Sequence, residues 1–474
     1  MWKVLATLLR AANADTTRGR TVGLDEIRRR AGQGEAMAQF NLGLMYDTGE
    51  GVEQDYAEAL LWYRRAADQG LARAQANLGR MYHLGEGVAQ DFEQALAWIR
   101  KAAEQGEPDA QNGLGVMYLY GRGVPQDDAQ AVKWMTKAAK QGLARAQFDL
   151  GSMYDAGEVV SQDDAQALLW YRKAADQGHA EAQFNLGAMY GRGQGVPEDL
   201  AQAAAWCRKA AEQGHAEAQF ALALMHANGE GVRHDYAVAA KWWREAAEQG
   251  HAGAQSALGE AYATGHGVEQ DDLQAAALHR EAAERGLAQA QFDLGRAYII
   301  GQGVEQDDVQ ALLWYRKAAD QGLAGAQCML GSAYALGQGV PQDDAQAVAW
   351  SRKAAEQGHA EAQFSLGVLY GSGQGVSHDD VQAAAWYGRA AEQGHAKAQY
   401  NLGVAYANGR GVPQDDVQAL EWLLLAWMRS SGDEQTLCAD GRDAVADRMT
   451  PEQVAEAQRR ALAWANAFHR QQKK

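Results

Sequence analysis

Five histidines recur at intervals of 36 residues or a multiple of 36, and imidazole nitrogens are common ligands for transition metals. They are His179, His215, His251, His359 and His395. A metal ion needs its ligand nitrogens within a few ångströms of one another. Each interval spans two predicted helices, and packed helices lie about 8 to 10 Å apart. We therefore predict that these histidines help helices begin and that the chain has no metal site.

The chain also lacks the sequence patterns of common nucleophiles and cofactor loops. Cys207, Cys328 and Cys438 are odd in number and lie far apart, which predicts neither a disulfide framework nor a metal-ligand cluster. No Gly-x-Ser-x-Gly, Ser-x-x-Lys or His-Glu-x-x-His motif is present. The many Gly-x-Gly pairs lack the preceding strand and third glycine of a dinucleotide-binding loop, so they indicate turns. We expect no catalytic residue and no cofactor.

Another set of side chains is spaced to hold a polypeptide. Arg73, Asn77 and Arg80 are separated by four and three residues, which places them on one helical face. Two arginines can grip a carboxylate with paired hydrogen bonds, and an asparagine can both donate to and accept from an extended backbone. With the equivalent places in other repeats, the predicted peptide-binding face comprises Asn41, Arg73, Asn77, Arg80, Arg145, Asp149, Asn185 and Asn401. The alternative is a helix face that is merely solvated.

These side chains are positioned by a repeat of 36 residues that occurs eleven times between residues 35 and 430. Place 1 of the first repeat is Glu35. In the second repeat, Ala74, Leu78 and Tyr82 recur at the spacing of one helical face, and a second amphipathic stretch around Trp98 does the same. Each repeat is therefore predicted to be a helical hairpin. One hairpin cannot bury its apolar stripe alone, so neighbouring repeats must stack.

The turn between the two helices has a recurring sequence. In the second repeat Gly85 and Gly87 allow the positive φ that a chain reversal needs. Asp91 is then placed to cap the second helix, with Gln94 as the reciprocal partner of a capping box. A further glycine after each second helix, such as Gly106, is predicted to end it.

Two columns are predicted to form the core. A glycine column inside the first helices, which includes Gly43, Gly79 and Gly115, is expected to allow close approach of the tryptophan-bearing helix. The tryptophan column supplies apolar bulk in ten repeats: Trp62, Trp98, Trp134, Trp170, Trp206, Trp242, Trp314, Trp350, Trp386 and Trp422. Four positions depart from the pattern: Val159 replaces a loop glycine, Ala223 the helix glycine, His226 a tyrosine and Leu278 the tryptophan.

The repeat, A-x-A-Q-x-x-L-G-x-x-Y-x-x-G-x-G-V-x-x-D-x-x-x-A-x-x-W-x-x-x-A-A-x-x-G, resembles the Sel-one-like repeat (SLR) family, relatives of the tetratricopeptide repeats. The resemblance implies an all-α fold, a right-handed α/α superhelical solenoid of eleven helix-hairpin repeats with helical caps. It also implies a bacterial protein-protein interaction adaptor or scaffold that binds a protein or peptide partner in its concave groove. The arginine and asparagine set resembles the carboxylate clamp of some tetratricopeptide domains.

The ends of the chain are predicted to cap the solenoid. Residues 1–34 are expected to form an N-terminal helix and half repeat, residues 35–430 the eleven repeats, and residues 431–474 C-terminal capping helices, one of which opens at Thr450-Pro451. A signal peptide is the alternative for the first residues, although their apolar run ends at Arg10 and is shorter than the roughly 7 to 15 residues of a secretory signal. The cytoplasm is favoured over the periplasm or secretion.

Charge and hydropathy exclude other classes of partner. The formal net charge is −17 and no basic face is evident, so we expect no nucleic acid. No apolar run reaches the roughly 18 residues that cross a bilayer, so we expect no membrane span. We predict a monomer and not an enzyme. The rival functions are a cell-wall-related hydrolase, as reported for some cysteine-rich relatives whose paired cysteines are absent here, and a self-assembling structural protein.

Overall fold

The structure is a computed structural model that describes residues 23–471. This part of the chain forms 25 helices and contains no strand. The predicted all-α class and the eleven hairpin repeats are confirmed. The calls on the first 22 residues, a capping helix or a signal peptide, lie outside the described part of the chain.

The helices are numbered α1 to α25 in chain order. Helix α1 precedes the repeats, even-numbered helices α2 to α22 are the first helices of repeats 1 to 11, odd-numbered helices α3 to α23 are the second helices, and α24 and α25 follow. Their bounds are α1 Leu24–Gly32, α2 Ala36–Thr48, α3 Tyr56–Asp68, α4 Ala72–Leu84, α5 Phe92–Glu104, α6 Pro108–Tyr120, α7 Asp128–Lys140, α8 Ala144–Ala156, α9 Asp164–Asp176, α10 Ala180–Arg192, α11 Leu200–Glu212, α12 Ala216–Asn228, α13 Tyr236–Glu248, α14 Ala252–Thr264, α15 Asp272–Glu284, α16 Ala288–Ile300, α17 Asp308–Asp320, α18 Ala324–Leu336, α19 Asp344–Glu356, α20 Ala360–Ser372, α21 Asp380–Glu392, α22 Ala396–Asn408, α23 Asp416–Arg429, α24 Gly432–Ala446 and α25 Pro451–Gln471.

The helices belong to two compact units, Met1–Asp235 with α1 to α12 and Tyr236–Lys474 with α13 to α25. Within each unit, consecutive helices pack against one another. This division differs from the three predicted segments 1–34, 35–430 and 431–474, which remain a prediction. Helices α1, α24 and α25 lie outside the repeats, at the two ends where caps are expected.

The second helices begin as the sequence predicts, with one difference. The Asp91 carboxylate accepts hydrogen bonds from the backbone nitrogens of Glu93 and Gln94, at 3.0 and 2.9 Å. The backbone nitrogen of Asp91 donates to the Tyr82 carbonyl at 2.9 Å, and not to the Gln94 side chain as a capping box would require. The aspartate cap is confirmed, whereas the reciprocal half of the predicted capping box is replaced by a bond that ties the turn to the first helix.

The glycine column allows close approach of the tryptophan-bearing helix, as predicted. A Cβ atom added to Gly79 would lie 2.6 Å from Cγ1 of Ile99, and one added to Gly43 would lie 2.8 Å from Cδ1 of Tyr63. These neighbours occupy place 29, the residue after the tryptophan. The tryptophan rings are instead covered by the cation three residues later, as where Lys173 Nζ lies 4.2 Å from the centre of the Trp170 ring.

A row of buried glutamines at place 5 links helices along the chain. In the second repeat, Gln75 Nε2 donates to the Ala67 carbonyl of α3 at 3.1 Å, and Gln75 Oε1 accepts from Gln105 Nε2 of α5 at 2.7 Å. The first of these two bonds is present in all eleven repeats. We refer to this row as the glutamine ladder. In the second repeat the two bonds fix the first helix α4 both to the preceding repeat and to its partner helix α5.

The ladder ends in the last repeat. Gln399 still donates to Ala391, at 3.1 Å, but its buried Oε1 has no hydrogen-bond partner in the described chain. Arg429 occupies place 35, the place from which Gln105 of the second repeat donates to the place-5 glutamine. Its guanidinium instead lies over the rings of Trp464 and Phe468 in α25. Trp464 also packs edge-on against Trp422. Helix α25 therefore packs against the last repeat, and a capping role for residues 431–474 stays a prediction.

Between residues 23 and 471, no helix combines the length and the apolar character needed to span a bilayer.

The glutamine ladder predicts unequal effects for the same substitution at two buried positions. Gln183→Met removes a bond to Ala175 and a bond from Gln213, so we expect the free energy of unfolding to fall by about 1 to 2 kcal/mol. Gln399→Met removes only the bond to Ala391 and relieves an unpaired buried oxygen, so its effect should be smaller. Denaturant unfolding of both variants measures the difference. Equal losses would show that the bond between the two glutamines contributes nothing.

A second prediction concerns acid sensitivity. His279 occupies place 29 in repeat 7, is 3% exposed, and has a pKa lowered to about 4 by burial. An unfolded histidine has a pKa of about 6.5, so the unfolded state takes up the proton first as pH falls. The free energy of unfolding should therefore decrease between pH 6.5 and 4, by up to roughly 3 kcal/mol from this residue.

The variant His279→Tyr installs the residue that repeats 1, 4, 8 and 10 carry at this place. It should lose less stability than the unmodified chain between pH 7 and 4.5, as measured by urea unfolding at both pH values. His378→Tyr is the control, because His378 is exposed. An unchanged acid sensitivity in His279→Tyr would contradict the assignment.

Candidate functional site

The asparagines predicted to hold a peptide backbone contact tyrosines of the preceding repeat. Asn77 forms a side-chain hydrogen bond with Tyr63, Asn185 with Tyr171, and Asn401 with Tyr387. Asn41, in the first repeat, is half-buried. Burial raises the pKa of Tyr171 to about 12, so its hydroxyl stays protonated. These amides help to hold place 29, and their role in peptide binding stays a prediction.

Arg80 differs most from its expected environment. Its side chain is 2% exposed and forms ion pairs with Asp47, which is 1% exposed, and with Glu86. The Tyr63 hydroxyl donates to the same Asp47 carboxylate at 3.2 Å. Arg80 was predicted to be an open cation that grips a ligand carboxylate. The structure corrects that environment, because the charge of Arg80 is already matched by two carboxylates of this chain.

Arg73 lies on the exposed surface of the same helix. Its positive charge acts on Asp109 and Glu107 in the next repeat, where burial raises the pKa of both carboxyl groups and Arg73 opposes that rise. Arg73 and Arg80 therefore face different environments, one open and one enclosed. The structure does not bring them together as two free cations.

A pocket of about 500 Å³ lies farther along the first helices, in repeats 3 to 5. Its wall is mainly apolar, and its rim carries Arg145, Asp149, Glu158 and Glu181. The apolar lining comes from α6, α7, α8 and the turn after α8: Val116, Leu119, Tyr120, Met135, Phe148, Met153, Ala156 and Val159. We call this cavity the repeat-4 pocket. It contains two of the residues predicted from sequence, Arg145 and Asp149.

The repeat-4 pocket lies beside a turn that departs from the repeat. Ten repeats have a glycine at place 17 with φ between 65° and 77°, and a Cβ on Gly195 at this place would lie 2.6 Å from the Asp164 carbonyl oxygen. Repeat 4 has Val159 there, and in the described chain no residue other than glycine has positive φ. A valine cannot make that approach. The turn of repeat 4 therefore follows another path, next to the cavity.

The charges at the rim are only partly matched. Arg145 Nε lies 3.3 Å from Asp149 Oδ1, and Asn112 Nδ2 donates to Asp149 Oδ2 at 3.2 Å. Burial raises the pKa of the Asp149 carboxyl, with Arg145 and Asn112 acting in the opposite direction. Glu158 and Glu181 are exposed at the rim. The rim carries one cation and three carboxylates, so its net charge is negative when all four groups are ionised.

The other residues considered for chemistry have structural environments. His179 Nδ1 accepts from the backbone nitrogen of Ala182 at 3.3 Å, and burial lowers the pKa of His179 to about 4. The prediction that these histidines help first helices begin is confirmed. Cys207 and Cys328 are buried thiols whose pKa burial raises to about 11 and about 12, which disfavours the reactive thiolate. Within residues 23–471 no group of three or more metal-ligating side chains is found.

The repeated helix hairpins define an α/α hairpin repeat protein. The Sel1 repeat model matches it in eleven segments, residues 36–71, 72–107, 108–143, 144–179, 180–215, 216–251, 252–287, 288–323, 324–359, 360–395 and 396–428. The chain therefore belongs to the Sel1 repeat family, which confirms the resemblance seen in the sequence. The Sel1 repeat is a non-catalytic scaffold fold that generally serves protein interactions.

Two solved structures are similar to this chain. The crystal structure of c5321, a protective antigen present in uropathogenic Escherichia coli strains and displaying an SLR fold, is 39% identical, covers 96% of this chain and 97% of that chain, and has a TM-score of 0.87. A Sel1 repeat protein from Oxalobacter formigenes is 36% identical over 69% of this chain and 93% of that chain, with a TM-score of 0.49. None of the curated proteins compared with the chain matches it.

The environments of Arg80 and Arg73 predict unequal losses of stability when each of these two arginines of one helix is replaced. Arg80→Met removes the buried cation that pairs with Asp47, so the free energy of unfolding should fall by about 3 to 5 kcal/mol. Arg73→Met changes an exposed side chain and should cost less than about 0.5 kcal/mol. Thermal or urea unfolding of the two variants compares them. Similar stability of both would mean that the Arg80 ion pairs do not support the fold.

Proposed function

We propose that this protein is a non-catalytic adaptor that binds a protein partner on the first-helix face of repeats 3 to 5, at the repeat-4 pocket. One observation carries the proposal, namely an apolar cavity of about 500 Å³ that opens beside Tyr120, which is 49% exposed. Cavities of this size, apolar with a few polar groups at the rim, are typical ligand-binding sites. Aromatic side chains are enriched where proteins bind one another.

The position of the pocket also supports the proposal. Solenoids of this type present their first helices to the concave surface that binds partners. The pocket includes Arg145 and Asp149, at places 3 and 7 of repeat 4, which belong to the predicted peptide-binding face. A partner bound at the pocket would also contact other first-helix residues of the predicted face, namely Asn41, Arg73, Asn77, Asn185 and Asn401. Arg80 does not need to bind a ligand in this proposal.

The remaining expectations about the partner form part of the same proposal. The net charge of −17 disfavours a nucleic acid, because phosphate binding needs a concentrated basic surface. The predicted monomeric state and the preference for the cytoplasm stay predictions. The scaffold fold and the protonated, buried thiols of Cys207 and Cys328 support the non-catalytic role.

Site-specific photo-crosslinking tests the proposal with a matched pair of positions. A p-benzoyl-phenylalanine in place of Tyr120, on a first helix, should form a light-dependent adduct with a protein of the native cell extract. The same group in place of Leu169, which is 43% exposed on the second helix α9, should not. Excess unlabelled chain should suppress the Tyr120 adduct if it reports a saturable site.

Three other results would contradict the proposed function. Adducts at Leu169 but not at Tyr120 would place the partner on the second helices and overturn the proposed face. Hydrolysis of a chromogenic β-lactam by the purified protein would overturn the non-catalytic role. The absence of any saturable adduct at Tyr120 would remove the support for a partner at this pocket.

A further inference from the structure

The carboxylates at the repeat-4 pocket indicate which kind of partner segment it would accept. Arg145 and Asp149 form an ion pair with each other, 3.3 Å apart, with side chains that are 16% and 12% exposed. Glu158, from the turn after α8, and Glu181, from the first turn of α10, complete the rim. Neither glutamate has a hydrogen-bond or ion-pair partner within the described residues. The charge that the pocket leaves unmatched is therefore negative.

The wall beneath these carboxylates is apolar. Val116 and Phe148 are 5% and 9% exposed, and Tyr120 and Val159 border the opening. An apolar side chain that enters such a cavity is removed from water, which stabilises a complex by roughly 25 cal/mol for each Å² of apolar surface buried. A polar or charged side chain would lose its hydration without a matched partner in the wall.

On the basis of the function proposed above, we infer that the repeat-4 pocket accepts a polypeptide segment in which an apolar side chain is flanked by lysine or arginine. The apolar side chain lies against Val116, Phe148 and Val159, and the flanking cations pair with Glu158 and Glu181. A carboxylate ligand is disfavoured, because Arg145 is already paired with Asp149 and a ligand carboxylate would meet two unpaired glutamates. The predicted preference is thus opposite to that of a carboxylate clamp.

Three labelled peptides test this preference against the full chain by fluorescence anisotropy. The peptide Gly-Lys-Leu-Phe-Lys-Gly carries both features, Gly-Glu-Leu-Phe-Glu-Gly reverses the charge, and Gly-Lys-Ser-Ser-Lys-Gly lacks the apolar part. The first should bind at least about tenfold more tightly than either of the others, which corresponds to about 1.4 kcal/mol. Equal binding of the charge-reversed peptide, or of the serine peptide, would overturn the inference.

A pair of double variants separates the pocket from the general charge of the protein. Glu158→Gln with Glu181→Gln should weaken binding of the lysine-leucine-phenylalanine peptide about tenfold, and raised salt should weaken it in the unmodified chain. Glu198→Gln with Glu212→Gln makes the same change in net charge at exposed positions outside the pocket, and should change affinity by less than about twofold. Equal losses in the two double variants would contradict the assigned site.

Selection from a random peptide library on the full chain distinguishes failure of this inference from failure of the proposed function. Enrichment of basic and apolar sequences that compete with the first peptide would support both. Enriched peptides that crosslink at position 120 but lack the basic flanks would overturn the inference and leave the adaptor function standing. If no peptide is enriched, if the first peptide does not bind and if no adduct forms at position 120, both are overturned.

Discussion

The hydrogen bonds of the glutamine ladder are the interaction on which the stacking of repeats depends. Each buried glutamine at place 5 joins its own repeat to the carbonyl of the repeat before it, as Gln75 does with Ala67 and Gln105. A buried amide that lacked these partners would cost roughly 1 to 3 kcal/mol. The bonds therefore favour one spacing between neighbouring hairpins, and the close approach of the loop glycine Gly87 to the Tyr56 carbonyl of the preceding repeat depends on that spacing.

The same spacing explains why the turn of repeat 4 differs from the others. The loop glycine at place 17 fits against the preceding second helix because it has no side chain, as Gly195 does near Asp164. Val159 cannot fit there, and the turn of repeat 4 lies beside a cavity that the first helices line. A single substitution in a uniform repeat thus coincides with a binding-sized pocket, while the hydrogen bonds of Gln147 on the same helix are retained.

Polar residues on the first helices are divided between structural and exposed roles by what lies in the neighbouring repeat. Asn77, Asn185 and Asn401 each follow a repeat with tyrosine at place 29 and bond to that tyrosine. Asp149 follows Met135, which has no hydroxyl, and its carboxylate is instead paired with Arg145 and Asn112 at the pocket rim. The residue at place 29 therefore influences whether the next first helix keeps a polar group near its surface.

The sequence by itself determined the helices and the residues that begin and end them, because these depend on neighbours within one or two helical turns. It also determined the family, because the repeat recurs eleven times. Asp91 accepts from nitrogens two and three residues away, and Gly85 ends α4 in the left-handed conformation with a backbone bond to Met81, four residues before it. The environment of Arg80 and the existence of the repeat-4 pocket were decided by the tertiary structure. The partner of Arg80, Asp47, is 33 residues away, and the pocket is lined by three successive repeats. Burial and pairing at such separations depend on how repeats stack, which the spacing within one helix does not specify.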